Sequence, residues 1–385
     1  MIYKEFKGKK LSALGFGMMR LPVIDGKDAQ IDKELTKKMV KTAMDAGVNY
    51  YDTAWGYHGG NSELVAGECL KEYPRDSFYL ASKFPGYDLS NMSKAEEIFE
   101  KQLEKCQTEY FDFYLIHNVC ELNIDEYLNP EHKIKEFFVK QRENGRIKHL
   151  GFSAHGDIEN MKQFLAVYGD EMEFCQIQLN YYDYTFQNAK GKIELLKEWN
   201  LPVWVMEPVR GGQLASLKED AEAKLKEKRP DESTASWAFR FLQSLPDVVV
   251  TLSGMTNMAQ LEENIKTYEE AKPLNEEEKA LILGIADEMI HGTTVHCTGC
   301  RYCTGKCPMG LDIPTLLSYY NEAMVGGSGN FIASMGVGSL PNEKKPTACI
   351  ECHACEQVCP QKIEIPNELK NLQVKLEEIA KSMQA

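Results

Sequence analysis

The chain has 385 residues, of which 43% are hydrophobic and 26% are charged, and its formal net charge is −14. This apolar content is enough for a large buried core and excludes an intrinsically disordered chain. An acidic chain without a basic run is a poor binder of nucleic acid or of anionic membranes. No apolar stretch is long enough for a transmembrane helix, and the N-terminus lacks the apolar segment of a secretion signal, so we expect a cytoplasmic protein.

Short apolar runs alternate with amphipathic stretches from about residue 11 to residue 290. The runs are rich in β-branched and aromatic residues, which is typical of strands buried on both faces. The predicted strands are 13–21, 49–54, 78–84, 111–118, 149–155, 174–180, 202–209 and 248–255. The predicted helices between them are 33–46, 61–72, 93–107, 133–144, 157–168, 188–200, 231–244 and 257–271.

Eight strand–helix units within about 250 residues are typical of an α/β protein with a (β/α)8 TIM barrel. A doubly wound sheet is the alternative, but no G-x-G-x-x-G motif follows the first strand. Residues 3–11 resemble a short hairpin that closes the bottom of the barrel. Asn61 and Ser93 are predicted helix N-caps, and Gly47 and Gly145 suit positions just beyond a helix end.

The composition changes near residue 290, where we place a domain boundary. Residues 272–290 are predicted to form a helix that Asn275 caps, and residues 366–383 are predicted to form a closing helix. A Gly-rich stretch at 326–330 lies between two groups of cysteines. The chain is therefore predicted to consist of a barrel domain, 1–290, and a smaller domain, 291–385.

The cysteines of the second domain form two copies of one motif, C-x2-C-x2-C-x3-C-P, offset by 52 residues. This spacing is that of bacterial proteins that bind [4Fe–4S] clusters. A disulfide framework is disfavoured because no secretion signal is present. A zinc site does not require the Cys-Pro pair twice, and haem attachment would use a C-x-x-C-H sequence that only the second copy contains. The eight cysteines are Cys297, Cys300, Cys303, Cys307, Cys349, Cys352, Cys355 and Cys359.

The segment after each motif continues with Ile-Pro and the start of a helix, which resembles the helical type of dicluster ferredoxin module. We therefore expect a small, mainly helical, ferredoxin-like domain with two [4Fe–4S] clusters. In two-cluster ferredoxins the fourth cysteine of each motif binds the other cluster. That resemblance implies one ligand set of Cys297, Cys300, Cys303 and Cys359, and another of Cys349, Cys352, Cys355 and Cys307.

Ionisable residues stand at or just after the ends of three predicted barrel strands, where the chemistry of such barrels takes place. They are Asp52, Tyr57, Lys83 and His117. Each has a structural interpretation when taken alone, such as an N-cap, a surface ring or a core histidine. Because all four follow successive strands, they are predicted to converge on one pocket.

The segments YDTAWGYHGGNSE (51–63), LASKF (80–84) and YLIHN (114–118) resemble the core motifs of the aldo-keto reductase family, and the resemblance extends over residues 10–270. It implies hydride transfer between NAD(P)H and a small carbonyl or alcohol. Tyr57 would be the general acid, Asp52 and Lys83 would orient it and lower its pKa, and His117 would orient the carbonyl. Elementary chemistry agrees, because a nearby ammonium favours phenolate and a neutral imidazole can donate to a developing alkoxide.

The same resemblance implies contacts to a nicotinamide coenzyme, with NADP slightly preferred to NAD. Ser153 and Gln176 would hold the carboxamide, although Ala154 replaces the usual Asn. Residues 207–214 resemble the loop that covers the pyrophosphate, and its predicted contacts are Arg210, Gly211 and Gly212. The adenine contacts would be Glu263 and Asn264. Many relatives that require NADP carry basic residues where this chain has Gly254 and Gln260; Arg210 or Thr256 could compensate.

Three functions remain open from the sequence. The first is a carbonyl reductase whose clusters are structural. The second is an electron-transfer oxidoreductase that exchanges single electrons with a ferredoxin-like or other redox partner presenting a basic face. The third is a redox or iron sensor on an inactive barrel. No flavin-binding segment is recognised, and exposed clusters favour an anaerobic cytoplasm. Residues that could line the substrate pocket are Trp55, Tyr87, Tyr181 and Tyr182, and the thiols expected to be inert are Cys69, Cys106, Cys120 and Cys175.

Overall fold

The computed structural model describes residues 1–295, 297, 299–325 and 331–384, so the Gly-rich stretch at 326–330 lies outside the described residues. The chain forms two compact units. The first contains Met1–Val209 and Glu222–Lys279, and the second contains Arg210–Ala221 and Ala280–Ala385. The domain boundary near residue 290 stays a prediction. None of the described helices combines the length and apolar character needed to cross a bilayer.

The first unit is built on a closed barrel of eight parallel strands, β3 to β10 in chain order, in which β10 pairs back with β3. This confirms the predicted (β/α)8 barrel and excludes the doubly wound sheet. The strands are β1 Tyr3–Phe6, β2 Lys9–Ser12, β3 Leu14–Gly17, β4 Tyr50–Asp52, β5 Tyr79–Phe84, β6 Phe111–Val119, β7 Ile147–Ala154, β8 Cys175–Gln178, β9 Val203–Met206 and β10 Val248–Gly254.

Helices follow the barrel strands and continue through the cysteine-rich region. The helices up to residue 200 are α1 Lys33–Asp45, α2 Ser62–Leu70, α3 Ala95–Lys105, α4 Ile124–Leu128, α5 Ile134–Glu143, α6 Ile158–Tyr168, α7 Asp183–Phe186 and α8 Ala189–Glu198. The later helices are α9 Glu219–Lys228, α10 Thr234–Gln243, α11 Met258–Glu269, α12 Glu276–Thr293, α13 Ile313–Val325, α14 Phe331–Ser339 and α15 Ile365–Gln384.

The N-terminal residues form the predicted hairpin, in which β1 and β2 pair antiparallel. Phe6 packs edge-on against Trp204 with ring centroids 5.0 Å apart, and it belongs to a core cluster inside the barrel. That cluster includes Tyr50 and Tyr79, the first residues of β4 and β5. The hairpin therefore packs at the amino-terminal end of the strands, and the carboxyl-terminal end carries the polar residues.

Several predicted helix ends are confirmed by local geometry. Gly47 and Gly145 follow the C-caps of α1 and α5 with φ of 88° and 74°, a left-handed conformation that glycine adopts without a Cβ clash. Asn275 accepts a hydrogen bond from the Glu278 amide, and the Glu278 carboxylate accepts one from the Asn275 amide. This reciprocal pair satisfies two amides at the start of α12.

The two predicted N-caps are not confirmed. Ser93 lies inside a short 3-10 segment, Leu89–Lys94, in which the Asp88 carboxylate accepts a hydrogen bond from the Ser90 amide. α3 therefore begins at Ala95 and not directly after Ser93. Asn61 does precede α2, but its side-chain amide donates to the Ala29 carbonyl and caps no helical amide. In both places a tertiary or neighbouring contact outcompetes the local capping pattern.

The second unit is mainly helical, as predicted, and its two cysteine motifs share one backbone conformation. Left-handed residues recur at the 52-residue offset, and each motif ends in a short 3-10 turn before a helix. The matching left-handed pairs are Gly299 and Glu351, Arg301 and His353, and Gly310 and Lys362. The matching turns are Thr304–Lys306 and Glu356–Val358, and the matching helices are α13 and α15. The sequence repeat is therefore a structural repeat.

Candidate active site

A buried ion pair lies at the carboxyl-terminal end of two adjacent strands. Asp52 ends β4 and Lys83 is the penultimate residue of β5. The Lys83 ammonium is 2.5 Å from the Asp52 carboxylate and donates a second hydrogen bond of 2.8 Å to the carbonyl of Thr53. Lys83 is fully buried and Asp52 is 3% exposed, so water contributes little to the solvation of either charge.

Burial and mutual attraction have opposite effects on the pKa values of this pair. Burial raises the pKa of the Asp52 carboxyl, and Lys83 opposes that rise. Burial acts to lower the pKa of Lys83, but the attraction of Asp52 and Tyr57 outweighs it and raises that pKa. Lys83 is therefore a cation. The second Asp52 oxygen is buried and has no hydrogen-bond partner within the described ranges.

Tyr57 and His117 complete the group of four predicted residues. The Lys83 ammonium lies 5.1 Å from the centroid of the Tyr57 ring, and the Tyr57 and His117 rings are 6.3 Å apart. Tyr57 is half-buried, whereas His117, near the end of β6, is 7% exposed. The structure thus places the four side chains side by side, with the phenol as the member that solvent reaches most easily.

The ionisation of the ring groups differs in part from expectation. Burial raises the pKa of Tyr57, and Lys83 opposes the rise without reversing it, so the predicted net lowering does not occur. Burial, followed by Lys83 and His155, lowers the pKa of His117 well below its usual range. Tyr57 is therefore a neutral phenol and His117 a neutral imidazole at neutral pH. The buried Nδ1 of His117 has no partner in the described part of the chain.

A second histidine, which the sequence did not single out, lies beside the same four side chains. The His155 ring lies 5.9 Å from that of His117, and burial lowers the pKa of His155 to about 3. Its position immediately after β7, like the strand-end position of His117, was the signal that could have identified it. Tyr87 packs edge-on against His117 with ring centroids 5.6 Å apart, whereas Tyr181 is fully buried. That these residues line the substrate pocket stays a prediction.

A buried polar network holds the strand that carries Lys83. The Gln102 side-chain amide, on α3, donates to the Lys83 carbonyl at 3.0 Å and to the Glu63 carboxylate at 2.7 Å. Ser82 donates to the same Glu63 oxygen, and Lys105 pairs with its other oxygen at 2.8 Å. This network holds the end of β5 from the side of α3, so the Lys83 ammonium stays next to the Asp52 carboxylate.

The two predicted carboxamide contacts are neighbours. Ser153 and Gln176 occupy paired positions on β7 and β8, and both are buried. The Ser153 hydroxyl accepts a hydrogen bond of 2.9 Å from the Asn118 amide. The side-chain oxygen of Gln176 is buried without a partner among the residues described, so it is available to a donor from a bound molecule.

The residues predicted to bind adenine make contacts within the protein. The buried Asn264 amide donates to the Ser253 hydroxyl at 3.0 Å, and the Ser233 hydroxyl donates to Glu263. Gln260 accepts hydrogen bonds from both the amide and the hydroxyl of Thr256, at 2.8 and 3.0 Å. Gly254 is exposed and is the last residue of β10, and its predicted contact with the coenzyme stays a prediction.

The predicted pyrophosphate loop has an unusual backbone and an unexpected charge partner. Arg210, Gly211 and Gly212 have consecutive positive φ values of 49°, 63° and 98°. The Arg210 guanidinium lies 3.1 Å from the Glu322 carboxylate of α13, and both side chains are buried. The sequence offered Arg210 as a phosphate ligand, but Glu322 already offsets its positive charge.

The cluster cysteines repeat the same order of exposure. Cys300 and Cys352, the second of each motif, are exposed, and Cys303 and Cys355, the third, are buried.

A small cavity is lined by Cys307 together with Cys349, Cys352 and Cys355, so the last cysteine of one motif faces the first three of the other. Among the described residues no three His, Cys, Asp or Glu side chains converge on a single-ion site. In a cluster each thiolate binds its own iron, so wider spacing is expected.

The four remaining cysteines are buried in the barrel. Burial raises the pKa of Cys69 and of Cys120 to about 11, and raises that of Cys106 and Cys175 well above its usual range. A thiol rather than a thiolate is therefore present at neutral pH, and thiols are poor nucleophiles. This agrees with their expected role as core residues.

Comparisons with known proteins bear on both parts of the chain. Residues 13–287 match the model of the aldo/keto reductase family, and residues 296–364 match that of a 4Fe-4S dicluster domain. The uncharacterized oxidoreductase YqkF of Bacillus subtilis is 25% identical over 70% of this chain and 92% of its own length. L-galactose dehydrogenase of Arabidopsis thaliana is 25% identical over 71% of this chain and 89% of its own.

Solved structures give the same result for the barrel. The aldo-keto reductase AKR11C1 of Bacillus halodurans superimposes with a TM-score of 0.60 at 25% identity, covering 74% of this chain and 96% of its own. A Klebsiella pneumoniae aldo-keto reductase in complex with NADPH has a TM-score of 0.60 at 20% identity over the same shares and shows the fold. With the barrel, the strand-end residues and the family model in agreement, the chain belongs to the aldo/keto reductase family and carries a C-terminal 4Fe-4S dicluster domain.

Proposed function

We propose that the protein is an NAD(P)H-dependent oxidoreductase that interconverts a small carbonyl compound and its alcohol by hydride transfer. The observation that carries this proposal is the buried Asp52–Lys83 pair beside a neutral Tyr57 phenol and a neutral His117 imidazole. A neutral phenol next to an ammonium is suited to donate a proton, because the cation stabilises the phenolate that remains.

Each of these four residues has its own role in carbonyl reduction. Tyr57 donates its phenolic proton to the carbonyl oxygen, and Lys83 balances the charge that the phenolate then carries. Asp52 keeps the ammonium in place, since the pair is buried and only 2.5 Å long. The neutral imidazole of His117 can donate an N–H to the same oxygen and orient it. Tyr57 regains a proton from water, which reaches it because the side chain is half-buried.

The residues expected to hold the nicotinamide fit that group. A carboxamide carries an N–H2 donor and a carbonyl acceptor, and the unpartnered Gln176 oxygen can accept from the former. The neighbouring Ser153 hydroxyl can donate to the latter, because its oxygen is used as the acceptor from Asn118. When bound, the coenzyme supplies or takes up the hydride. We propose NADP as the coenzyme, in keeping with the NADPH complex of the Klebsiella neighbour, with NAD as the alternative.

We further propose two [4Fe–4S] clusters in the dicluster domain. One would be held by Cys349, Cys352, Cys355 and Cys307, which line one cavity. The other would be held by the remaining four cysteines of the two motifs. The structural repeat supports equivalent ligand roles for equivalent cysteines, since the backbone angles around Cys307 and Cys359 agree to within 2° in both φ and ψ.

A second candidate function is single-electron exchange with a redox partner. The exposure of Cys300 and Cys352 favours it, because the iron atoms bound by these thiolates would lie near the surface. Two clusters together can store the two electrons that one hydride carries. Clusters reduced with dithionite under anaerobic conditions, and freed of excess reductant, should then lose their EPR signal when an oxidised ferredoxin, which accepts single electrons, is added. An unchanged signal would leave the clusters with a structural role.

The main proposal is tested by substituting Tyr57 in the anaerobically purified, cluster-containing protein. Oxidation of NADPH and of NADH is followed with a set of aldehydes and ketones. Tyr57→Phe should lower kcat by about 10²- to 10⁴-fold while coenzyme binding stays within a factor of about two, because only the proton donor is lost. Tyr79→Phe is the matched control, since Tyr79 begins the strand that carries Lys83 and lies at its opposite end. Equal activity in both variants would contradict the assigned role.

A further inference from the structure

Lys192 is a buried lysine that the proposed reaction does not use. It lies in the first turn of α8 and is only 5% exposed. Among the residues that the structure describes it takes part in no hydrogen bond and no ion pair, whereas Lys83, which is also buried, is paired with Asp52. Lysine is almost never buried unless a partner offsets its charge, because the loss of hydration is costly. The surroundings of Lys192 therefore call for an anion from outside the chain.

The carboxylates nearest in charge to Lys192 are already engaged elsewhere. Glu121 accepts hydrogen bonds from the Asp157 amide at 2.8 Å and from a side-chain amide of α6 at 3.0 Å. Asp157 caps α6, and Asp183 accepts hydrogen bonds from two side-chain amides. Burial lowers the pKa of Lys192, and the attraction of Glu121 and the other two acids opposes that fall without reversing it. These acids therefore offset the charge of Lys192 only in part.

Lys192 lies at the same rim of the barrel as the four proposed reaction residues. α7 and α8 follow β8, as His155 and α6 follow β7, so both segments begin at the carboxyl-terminal end of the strands. The first turn of α8 packs against the start of α6, since a Cβ atom added at Gly191 would lie 2.9 Å from Cδ1 of Ile158. After burial, the charge of Lys192 contributes most to the lowered pKa of His155, ahead of Lys83. Lys192 and His155 are therefore neighbours at this rim.

His155 connects Lys192 with the reaction site. Its ring lies 5.9 Å from that of His117, and its buried Nε2 has no hydrogen-bond partner in the described part of the chain. A neutral imidazole carries one N–H that it can donate. Because His117 is assigned to the reacting carbonyl oxygen, an oxygen on the neighbouring carbon of the substrate would face His155. A negative charge on that oxygen would also be attracted by the Lys192 ammonium, strongly so because the site is buried.

We propose that Lys192 and His155 bind a carboxylate of the substrate, so that the carbonyl compound reduced at this site is a 2-oxo acid. The proposal rests on the proposed oxidoreductase function and names its class of substrate. His155 donates its N–H to a carboxylate oxygen, and Lys192 offsets the carboxylate charge. The hydride from the coenzyme adds to C2, and Tyr57 supplies the proton to the carbonyl oxygen. The product is the 2-hydroxy acid, with its carboxylate unchanged.

The test compares 2-oxo acids with their methyl esters, which keep the carbonyl group and lose the charge. Pyruvate, phenylglyoxylate and their two methyl esters are reduced by the anaerobically purified, cluster-containing protein at saturating coenzyme. Lys192→Met should lower kcat/KM for both acids by about ten- to a hundred-fold, the range for one hydrogen bond to a charged group, and change kcat/KM for the esters by less than about two-fold. Lys190→Met replaces an exposed lysine of the same turn and should match the wild type.

A stability measurement separates this role from a structural one. Without substrate, Lys192→Met removes a buried cation that has no partner among the described residues, so the midpoint of urea unfolding should not fall below that of the wild type. A clearly lower midpoint would show that the surrounding acids already satisfy Lys192, and it would overturn the proposal.

The kinetic outcomes are also distinct. Equal losses for acids and esters in Lys192→Met would place Lys192 on the coenzyme or in the fold and overturn the proposal. Unchanged kcat/KM for the acids, or a wild-type protein that reduces the esters but not the acids, would overturn it as well. A wild-type protein that reduces no carbonyl compound with either coenzyme would instead overturn the proposed function.

Discussion

Replacing Lys83 by methionine removes the ammonium that faces Asp52 while keeping most of the side-chain volume. The carboxylate is then buried with both oxygens unpaired, since its second oxygen already lacks a partner among the described residues. Loss of one member of a buried ion pair costs about 3–5 kcal/mol of unfolding free energy. Lys101→Met is a matched control, because Lys101 lies at the same 2.5 Å from Glu97 but both side chains are more than half exposed. That pair should contribute about 0.3–0.5 kcal/mol.

The pH dependence gives the prediction a second, independent part. Without Lys83, burial alone acts on Asp52 and raises its pKa above that of the unfolded chain. A raised pKa means that the folded state binds more protons than the unfolded state, so stability falls as pH rises through the folded pKa and is recovered as pH falls. The cost of Lys83→Met should therefore be larger at pH 8 than at pH 5. The double variant Asp52→Asn, Lys83→Met should be more stable than Lys83→Met at pH 8.

The unfolding of the barrel can be followed on its own. All four tryptophans, Trp55, Trp199, Trp204 and Trp237, lie in the first compact unit, so tryptophan fluorescence in urea reports that unit and not the cysteine-rich one. The difference in unfolding free energy between variant and wild type is then read at pH 5 and at pH 8. A cost below about 1 kcal/mol for Lys83→Met, or the same cost at both pH values, would refute the reasoning that an unpaired buried charge dominates this site.

Two further predictions concern the proton donor and the clusters. Burial keeps His117 neutral and Tyr57 protonated, so kcat/KM for carbonyl reduction should be constant between pH 6 and pH 8. It should fall only on the alkaline side, above about pH 10. A decrease of kcat/KM on the acid side near pH 6.5 would contradict this prediction. Iron content should be about eight atoms per chain in the wild type. Iron content should fall to about half in Cys307→Ala and also in the double variant Cys307→Ala, Cys349→Ala, because both cysteines belong to one ligand set. The double variant Cys297→Ala, Cys307→Ala should lose nearly all iron, because it affects both sets. Equal loss in the two double variants would contradict the proposed ligand sets.

The features that the sequence predicted well are encoded over short stretches. Eight apolar runs predicted eight barrel strands, and the spacing within each cysteine motif predicted its backbone repeat. The strand ends predicted the grouping of Asp52, Lys83 and His117, because parallel strands of a barrel finish at the same rim. Each of these inferences needs only residues within one strand or motif and one rule of topology.

The features that were missed depend on residues far apart in the chain. His155 and Lys192 follow different strands and come together only because α8 packs against α6, and Arg210 meets a partner 112 residues away. The direction of the Tyr57 pKa could not be predicted, because it is the balance between burial and one nearby cation. The Ser93 cap failed because Asp88, five residues earlier, starts a turn that delays the helix.

The grouping of Arg210–Ala221 with the C-terminal residues bears on how this protein can be shortened. The chain passes between its compact units three times, after Val209, after Ala221 and after Lys279. Truncation at residue 280 would therefore divide the second unit and remove Glu322, the acid that pairs with Arg210. Residues 210–221 and the cysteine-rich residues therefore have to be kept or removed together, because they belong to one compact unit.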